Sequence, residues 1–140
     1  MASAELRALY VDTPRGVIHA VRAGAGPAVL LLHQTPRSID EYRDVVPLLA
    51  RDFLVVAMDT PGFGASPPLA GVEPSIEAWA SAALGLLDAL TIEEAIVVGH
   101  HTGAAIAMEI AAQAPSRVSA LILSACPFVD AERRARHTAH

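Results

Sequence analysis

Two residue types are missing from this 140-residue chain: it contains no lysine and no asparagine, and all ten basic residues are arginine. We interpret these gaps as a bias in composition that carries no chemistry. The basic residues form no block, and fifteen acidic residues outnumber them, which gives a net charge of −5. Nucleic-acid binding calls for a basic patch or stripe. We therefore expect no nucleic-acid partner.

Cysteine is nearly absent as well. The single Cys126 has no second thiol with which to form an internal disulfide, and this suits a reducing cytoplasm. The first residues, MASAELRALYVDTPRG, lack a basic segment followed by an apolar core, so they do not form a secretory signal. The longest apolar run, residues 95–114, is interrupted by two histidines, two glycines and Glu109, so no membrane span is predicted. The sequence predicts a cytoplasmic protein without a membrane partner.

Apolar residues, in contrast, make up 53% of the chain, and charged residues make up 18%. This composition excludes a disordered chain, and the length fits one domain over residues 1–140. Two alternating runs around DTPRG predict an antiparallel hairpin. Four continuous apolar runs predict buried strands: AVLLLH, FLVVAMD, AIVVG and VSALILSA.

Helical patterns separate these strands. Ser38 with Glu41 three residues later reads as a capping box and predicts a helix from about Ile39, which Pro47 kinks or restarts. SIEAWASAALGLLDAL and TGAAIAMEIAAQA predict two further helices. Strands that alternate with helices predict the α/β class, with a mainly parallel sheet of about six strands and helices on both faces.

Three segments follow predicted strands at the edge where parallel sheets bind ligands: HQTPRS, DTPGFGAS and GHHTGA. In GHHTG a strand turns directly into a helix, which requires small residues two positions before and after the apex. Gly99 and Gly103 meet this requirement around His101. The apex residue is forced toward positive φ, which histidine adopts more often than most residues with a side chain.

These motifs resemble the α/β-hydrolase superfamily. Its serine members carry G-x-S-x-G at this turn, the nucleophile elbow, whereas GHHTG has His101 at the serine position. HQTP is similar to the family's H-G motif, with Gln34 in place of glycine, and DTPGFGAS keeps D-x-x-G-x-G-x-S from Asp59 to Ser66. The aspartate nucleophile of the dehalogenase and epoxide hydrolase branches is excluded at the elbow, because no carboxylate stands there.

The resemblance implies catalytic roles for His101, Thr102 and Thr35. The backbone N–H groups of Thr35 and Thr102 would form an oxyanion hole, and Thr102 also begins a helix whose dipole favours an anion. Because these donors are backbone groups, they remain when the serine is replaced. Anion binding is therefore the functional property that the resemblance implies most firmly. Three interpretations of His101 stay open: a nucleophile, a general base on water, or a residue that fills a strained turn in a non-catalytic protein.

Nearby side chains give a candidate substrate-binding set of His33, Gln34 and Arg37. Arg37 would steer a carboxylate-bearing substrate or, alternatively, be a solvated residue at a helix start. His33 would contact substrate or serve as a scaffold that bonds neighbouring loops. We expect no cofactor, and no metal site, because the adjacent His100 and His101 point in different directions. His100 is expected to be structural.

Asp59 and Ser66 also invite a catalytic interpretation. Asp59 precedes the elbow and lies after the wrong strand for a triad acid, so we expect it to bond backbone N–H groups of its own loop. Ser66 has no elbow around it and is interpreted as a loop or helix cap.

A serine triad in this fold places its acid and its histidine after the nucleophile. Here the candidates are Asp130 as the acid, with His137 and His140 in a polar tail as bases. The base normally follows an eighth strand, so the resemblance favours an amino-terminal portion of a longer family member. The last strand, VSALILSA, would have an uncovered apolar edge that could pair with a second copy.

The resemblance therefore implies a hydrolase that acts on a small ester, amide or related carbonyl compound, with the atypical His101 at the elbow and a backbone oxyanion hole. Two alternatives remain: a non-catalytic ligand-binding or interaction protein that keeps the fold, or a cofactor-free lyase or oxygenase.

Overall fold

One six-stranded sheet organises the part of the chain that the computed structural model describes, residues 5–127. The strands lie in the order β1-β2-β4-β3-β5-β6. The strands are β1 (Arg7–Thr13), β2 (Gly16–Ala23), β3 (Ala28–Leu32), β4 (Leu54–Met58), β5 (Ala95–His100) and β6 (Val118–Ser124). The α-helices are α1 (Val46–Leu49), α2 (Ile76–Ala89) and α3 (Thr102–Gln113), and short 3₁₀ helices span Ile39–Tyr42 and Pro115–Arg117.

The predicted hairpin and the mainly parallel sheet are confirmed. β1 and β2 form an antiparallel hairpin, and β2 pairs antiparallel with β4. The remaining neighbours, β4 with β3, β3 with β5 and β5 with β6, are all parallel. Because parallel strands end at the same edge, the segments after β3, β4 and β5 meet there.

Apolar side chains fill both faces of the sheet, as alternation along buried strands requires. The long helices α2 and α3 cover one face, and the segment from Tyr42 to Ala50 covers the other. The first core includes Ile18, Leu30, Val56, Val97, Leu86 and Ile106, and the second includes Val21, Leu31, Val55, Tyr42 and Val46. Helices on both faces are thus confirmed.

The helix predicted from Ile39 is broken into two short pieces. Ser38 accepts a hydrogen bond from the Asp40 N–H at 3.3 Å, but Glu41 does not return to Ser38 as a capping box requires. Its carboxylate accepts from the Gln34 N–H at 3.3 Å instead. The segment therefore forms a 3₁₀ turn that bonds the preceding loop, and α1 starts anew with Pro47 in its first turn.

Every helix described among residues 5–127 is too short or too polar to span a lipid bilayer.

Within residues 5–127, β6 pairs only with β5 and exposes its apolar side chains on both faces. Leu121, Ile122 and Leu123 are 38%, 53% and 38% exposed. The uncovered apolar edge expected from the sequence is therefore present in the described part of the chain.

We predict that this edge promotes association between copies. Ile122→Lys should lower the concentration-dependent rise in mass measured by light scattering after size exclusion, because a charge on an edge strand blocks further pairing. The matched control is Leu48→Lys, which alters an equally exposed leucine on α1. Both changes should alter the free energy of unfolding by only about 0.5 kcal/mol. A wild-type chain whose mass is independent of concentration would contradict the prediction.

Candidate active site at the carboxyl edge of the sheet

The turn between β5 and α3 is as sharp as the sequence predicts. His101 alone separates the strand from the helix, with φ +54° and ψ −113°. Its N–H donates to the Ser124 carbonyl at 2.9 Å, and its own carbonyl accepts from the Ala104 N–H at 2.9 Å. The turn is thus fixed by β6 on one side and by the first turn of α3 on the other. The prediction of positive φ is confirmed.

The two glycines of the turn are required by close backbone packing. A Cβ on Gly99 would lie 2.6 Å from the Ala104 nitrogen, and a Cβ on Gly103 would lie 2.7 Å from the Leu32 carbonyl carbon. Real Cβ atoms do not approach backbone this closely. Gly103 therefore lets the start of α3 rest directly on the last residue of β3.

This packing brings together Thr35 and Thr102, the two predicted oxyanion residues. Their Oγ1 atoms are 3.0 Å apart and share a hydrogen bond, although the residues are 67 positions apart in sequence. Within residues 5–127, neither backbone N–H donates a hydrogen bond. Both side chains are half-buried. Two N–H donors thus belong to residues that are in direct contact.

His33 links the ends of β3 and β4. Its ring is fully buried, and Nε2 accepts from the Thr60 N–H at 3.0 Å. Nδ1 must then carry the ring proton, which it donates to the Gln34 carbonyl at 2.8 Å. Both ring nitrogens are used within the protein, as the scaffold interpretation of His33 expects.

Gln34 and Arg37 differ in exposure. Gln34 is half-buried, and its N–H donates to Glu41. Arg37 is exposed, and its N–H donates to the Gln34 carbonyl at 2.9 Å. The Arg37 guanidinium makes no ion pair with any residue from 5 to 127 and faces solvent beside the loop.

Asp59 is the hub of the loop after β4. Its buried carboxylate accepts from the Ala65 N–H at 2.9 Å, as the sequence interpretation expects, and from the Ile39 N–H at 2.8 Å. The same carboxylate pairs with Nδ1 of His19 at 2.8 Å. Sequence reasoning missed His19, because only the pairing of β2 with β4 brings it beside Asp59, and no motif announces that pairing.

Ser66 also holds this loop in place. Its hydroxyl donates to the Asp59 carbonyl at 2.7 Å and accepts from the His19 N–H at 2.8 Å. Ser66 is buried, so its expected role as a cap agrees with its contacts.

The two adjacent histidines of the elbow have different surroundings. His100 is half-buried, and its Nδ1 lies 3.1 Å from the Ser124 hydroxyl. His101 is exposed, and its ring makes no hydrogen bond with residues 5–127. The proposed late acid and bases, Asp130, His137 and His140, lie outside the described residues. Within those residues, no three His, Cys, Asp or Glu side chains cluster in a way that could hold a metal ion.

Tyr42 supports the end of β3 from the opposite face of the sheet. It is buried, and its hydroxyl donates to the Leu32 carbonyl at 2.9 Å. Burial, with a smaller contribution from the negative charge of Glu41, raises the pKa of Tyr42 well above its usual value near 10. The tyrosine is therefore held in its neutral, hydrogen-donating form.

Comparison with known proteins agrees with this architecture. A family described as the α/β hydrolase fold matches residues 27–139. Since the match covers most of the chain and the parallel sheet has the expected order of motifs, the protein belongs to the α/β-hydrolase superfamily.

Two of the curated relatives are named as hydrolases of different substrates. 2-Hydroxymuconate semialdehyde hydrolase of Pseudomonas sp. (strain CF600) is 36% identical over 72% of this chain and 37% of that protein. Haloalkane dehalogenase 2 of Mycobacterium tuberculosis (strain ATCC 25618 / H37Rv) is 33% identical over 81% of this chain and 40% of that protein. The chain thus spans less than half the length of these curated relatives.

Solved structures give the same result. An epoxide hydrolase from an endophytic Streptomyces superposes with a TM-score of 0.76 at 33% identity, covering 92% of this chain and 39% of that one. The 2-hydroxy-6-oxo-6-phenylhexa-2,4-dienoate hydrolase of Rhodococcus sp. strain RHA1 gives 0.73 at 31% identity, covering 85% of this chain and 46% of that one.

We predict that Gly103→Ala lowers the free energy of unfolding by about 2 kcal/mol, because the added methyl group meets the backbone of Leu32. The control is Gly85→Ala in the middle of α2, where the nearest atom is the Thr13 Cβ at an ordinary 3.4 Å. That change should stabilise the chain by up to about 1 kcal/mol through helix propensity. Equal effects of the two changes in urea unfolding would contradict the close packing described above.

The raised pKa of Tyr42 predicts a loss of stability in alkali. Above about pH 10 the unfolded chain releases this proton while the folded chain keeps it, so the unfolded state binds fewer protons. The contribution of Tyr42 to the free energy of unfolding should then fall by about 1.4 kcal/mol per pH unit. Urea unfolding at several alkaline pH values measures this slope, and Tyr42→Phe should remove it. Parallel losses in both proteins would contradict the prediction.

Proposed function

We propose that this chain supplies the catalytic centre of an α/β hydrolase that acts on a small ester, amide or related carbonyl compound. Thr35 and Thr102 provide an oxyanion hole, and His101 is the general base or the nucleophile. The observation that carries the proposal is the 3.0 Å contact between the Thr35 and Thr102 side chains at the sharp turn.

Charge stabilisation is the first part of the chemistry. The Thr35 and Thr102 N–H groups have no acceptor within residues 5–127, and Thr102 is the first residue of the twelve-residue helix α3. The positive end of the helix dipole adds to their attraction for an oxyanion. Removal of one such donor typically raises an activation barrier by about 2.7–4 kcal/mol. These two donors are backbone groups, and they do not depend on the residue at the apex.

His101 supplies the proton transfer. As a general base, its imidazole takes a proton from water while the water oxygen forms a bond to the carbonyl carbon, whose oxygen becomes the oxyanion. The intermediate then collapses, the bond to the leaving group breaks, and the imidazolium returns its proton to that group. As a nucleophile, the imidazole would attack the carbon itself, the bond to the leaving group would break, and the ring proton would pass to that group, which leaves an acyl-imidazole. Water would then add to the acyl carbon, the bond to the ring nitrogen would break, and the nitrogen would take the proton from water. In both routes His101 occupies the position from which the serine acts in serine members.

The names of two relatives support a carbonyl substrate. One is the hydrolase of a semialdehyde and another the hydrolase of a 6-oxo-dienoate. A substrate that also bears a carboxylate would be attracted by Arg37, which is exposed beside the Thr35 loop. The dehalogenase and epoxide hydrolase relatives support the fold alone here, since the elbow has no carboxylate.

A second function is favoured by a different observation. The His101 ring is exposed and makes no hydrogen bond within residues 5–127 that would orient it for proton transfer. A protein that binds a carboxylate at the two amides, without turnover, would require no such orientation.

Hydrolysis of p-nitrophenyl acetate distinguishes the two functions. We expect slow turnover by the 140-residue chain, and a decrease in kcat/KM of roughly a hundredfold in His101→Ala, the size typical of a lost acid–base group. His100→Ala is the matched control, because it removes the neighbouring imidazole and should retain turnover. Acetate should raise the Tm of the wild type and of His101→Ala alike, because the amides are intact in both.

Equal turnover in His101→Ala and the wild type would refute the catalytic role of His101. If acetate still raised the Tm of that variant, the non-catalytic function would be supported. Absence of thermal protection in every protein would refute the oxyanion hole itself.

A further inference from the structure

We propose that Tyr42 is a positioning residue that sets the distance between the two amides of the oxyanion hole; this inference rests on the proposed function. The side chain packs in the core on the face of the sheet opposite α3, and within residues 5–127 its hydroxyl is hydrogen-bonded to neither amide. It acts through the Leu32 carbonyl, to which its hydroxyl donates at 2.9 Å.

Leu32 is in contact with both parts of the proposed oxyanion hole: the segment after β3 that carries Thr35, and the β5–α3 turn that carries Thr102. It is the last residue of β3, three positions before Thr35. Across the sheet it pairs with Gly99, the first glycine of the elbow, and Gly103 rests on its carbonyl group from the α3 side. A displacement of this peptide would therefore change the position of Thr35 and of Thr102 relative to each other.

Tyr42 is well placed to prevent that displacement. Its ring packs with Val46 and Val55 in the core on the face of the sheet opposite α3, so its hydroxyl is held at a fixed distance from the sheet. The pKa of Tyr42 is raised by burial, so the hydroxyl keeps the proton that it donates. The opposite sides of the Leu32 peptide are thus occupied by a rigid donor and by the backbone of Gly103.

The 3₁₀ helix Ile39–Tyr42, to which Tyr42 belongs, also makes one hydrogen bond to the segment after β3 and one to the segment after β4. The Glu41 carboxylate accepts from the Gln34 N–H, and the Ile39 N–H donates to Asp59. Only the Tyr42 contact, however, reaches the peptide against which the elbow packs. Loss of its hydroxyl should consequently alter both amides together, whereas loss of a loop contact alone would alter the Thr35 side.

Backbone amide NMR of the 140-residue chain tests the proposal with Tyr42→Phe, which removes one oxygen and keeps the ring. Without any ligand, the Thr35 and Thr102 amide resonances should both shift. Tyr10→Phe is the matched control: its side chain is 68% exposed, and its hydroxyl makes no hydrogen bond with residues 5–127, so these two resonances should stay in place. In acetate titrations, Tyr42→Phe should raise the apparent Kd for acetate about threefold to tenfold, which is the effect of one lost hydrogen bond.

Ligand-free resonances of Thr35 and Thr102 that move no more in Tyr42→Phe than in Tyr10→Phe would overturn the positioning role. If both shift but the wild type shows no acetate-dependent change, the positioning role stands and the proposed oxyanion function fails. Should Tyr42→Phe not fold, 3-fluorotyrosine incorporated at the chain's two tyrosines strengthens the same donor with little change in size. Unchanged Thr35 and Thr102 resonances in that protein would also overturn the proposal.

Discussion

The site depends on one close contact: the backbone of Gly103 rests on the carbonyl of Leu32 with no side chain between them. This contact places the start of α3 against the end of β3 and allows Thr35 and Thr102 to share a hydrogen bond. It also forces the chain to reverse within the single residue His101, which therefore adopts positive φ. The strain at His101 is balanced by its hydrogen bonds to Ser124 and to the first turn of α3.

A second layer of contacts keeps the neighbouring loops in register. His33 joins the ends of β3 and β4 through its two ring nitrogens. The Asp59 carboxylate joins the loop after β4 to the hairpin through His19 and to the short helix through Ile39. These polar groups are hydrogen-bonded to one another, as most buried polar groups are. Within residues 5–127, the buried Thr60 Oγ1 is without a hydrogen-bond partner. The ends of β3 and β4 are thus held by a connected set of polar contacts, next to the strand whose end carries the exposed His101.

Much of this arrangement could be predicted from local sequence. The strands and the long helices follow from apolar periodicity, and Gly99, Gly103 and the φ of His101 follow from the sterics of a strand–turn–helix. The Asp59 contact with its own loop was also predictable, because the two groups are close in sequence.

The role of His19 could not be predicted from the sequence, because it depends on which strand lies beside β4. Glu41 was misassigned for a related reason: its carboxylate had two N–H groups within reach, and the tertiary position of Gln34 decided between them. Residues such as Tyr42, which act through a backbone carbonyl, leave no motif in the sequence.

If the ends of β3 and β5 hold the Thr35 and Thr102 amides around one point, that point should accept a negatively charged oxygen. A crystal structure of the chain with bound formate tests this arrangement. We expect one formate oxygen within about 2.7–3.2 Å of both the Thr35 and the Thr102 nitrogen, with the His101 ring at the open side. Thr35 and Thr102 amides that face apart, or formate bound elsewhere while this point holds no anion, would contradict it.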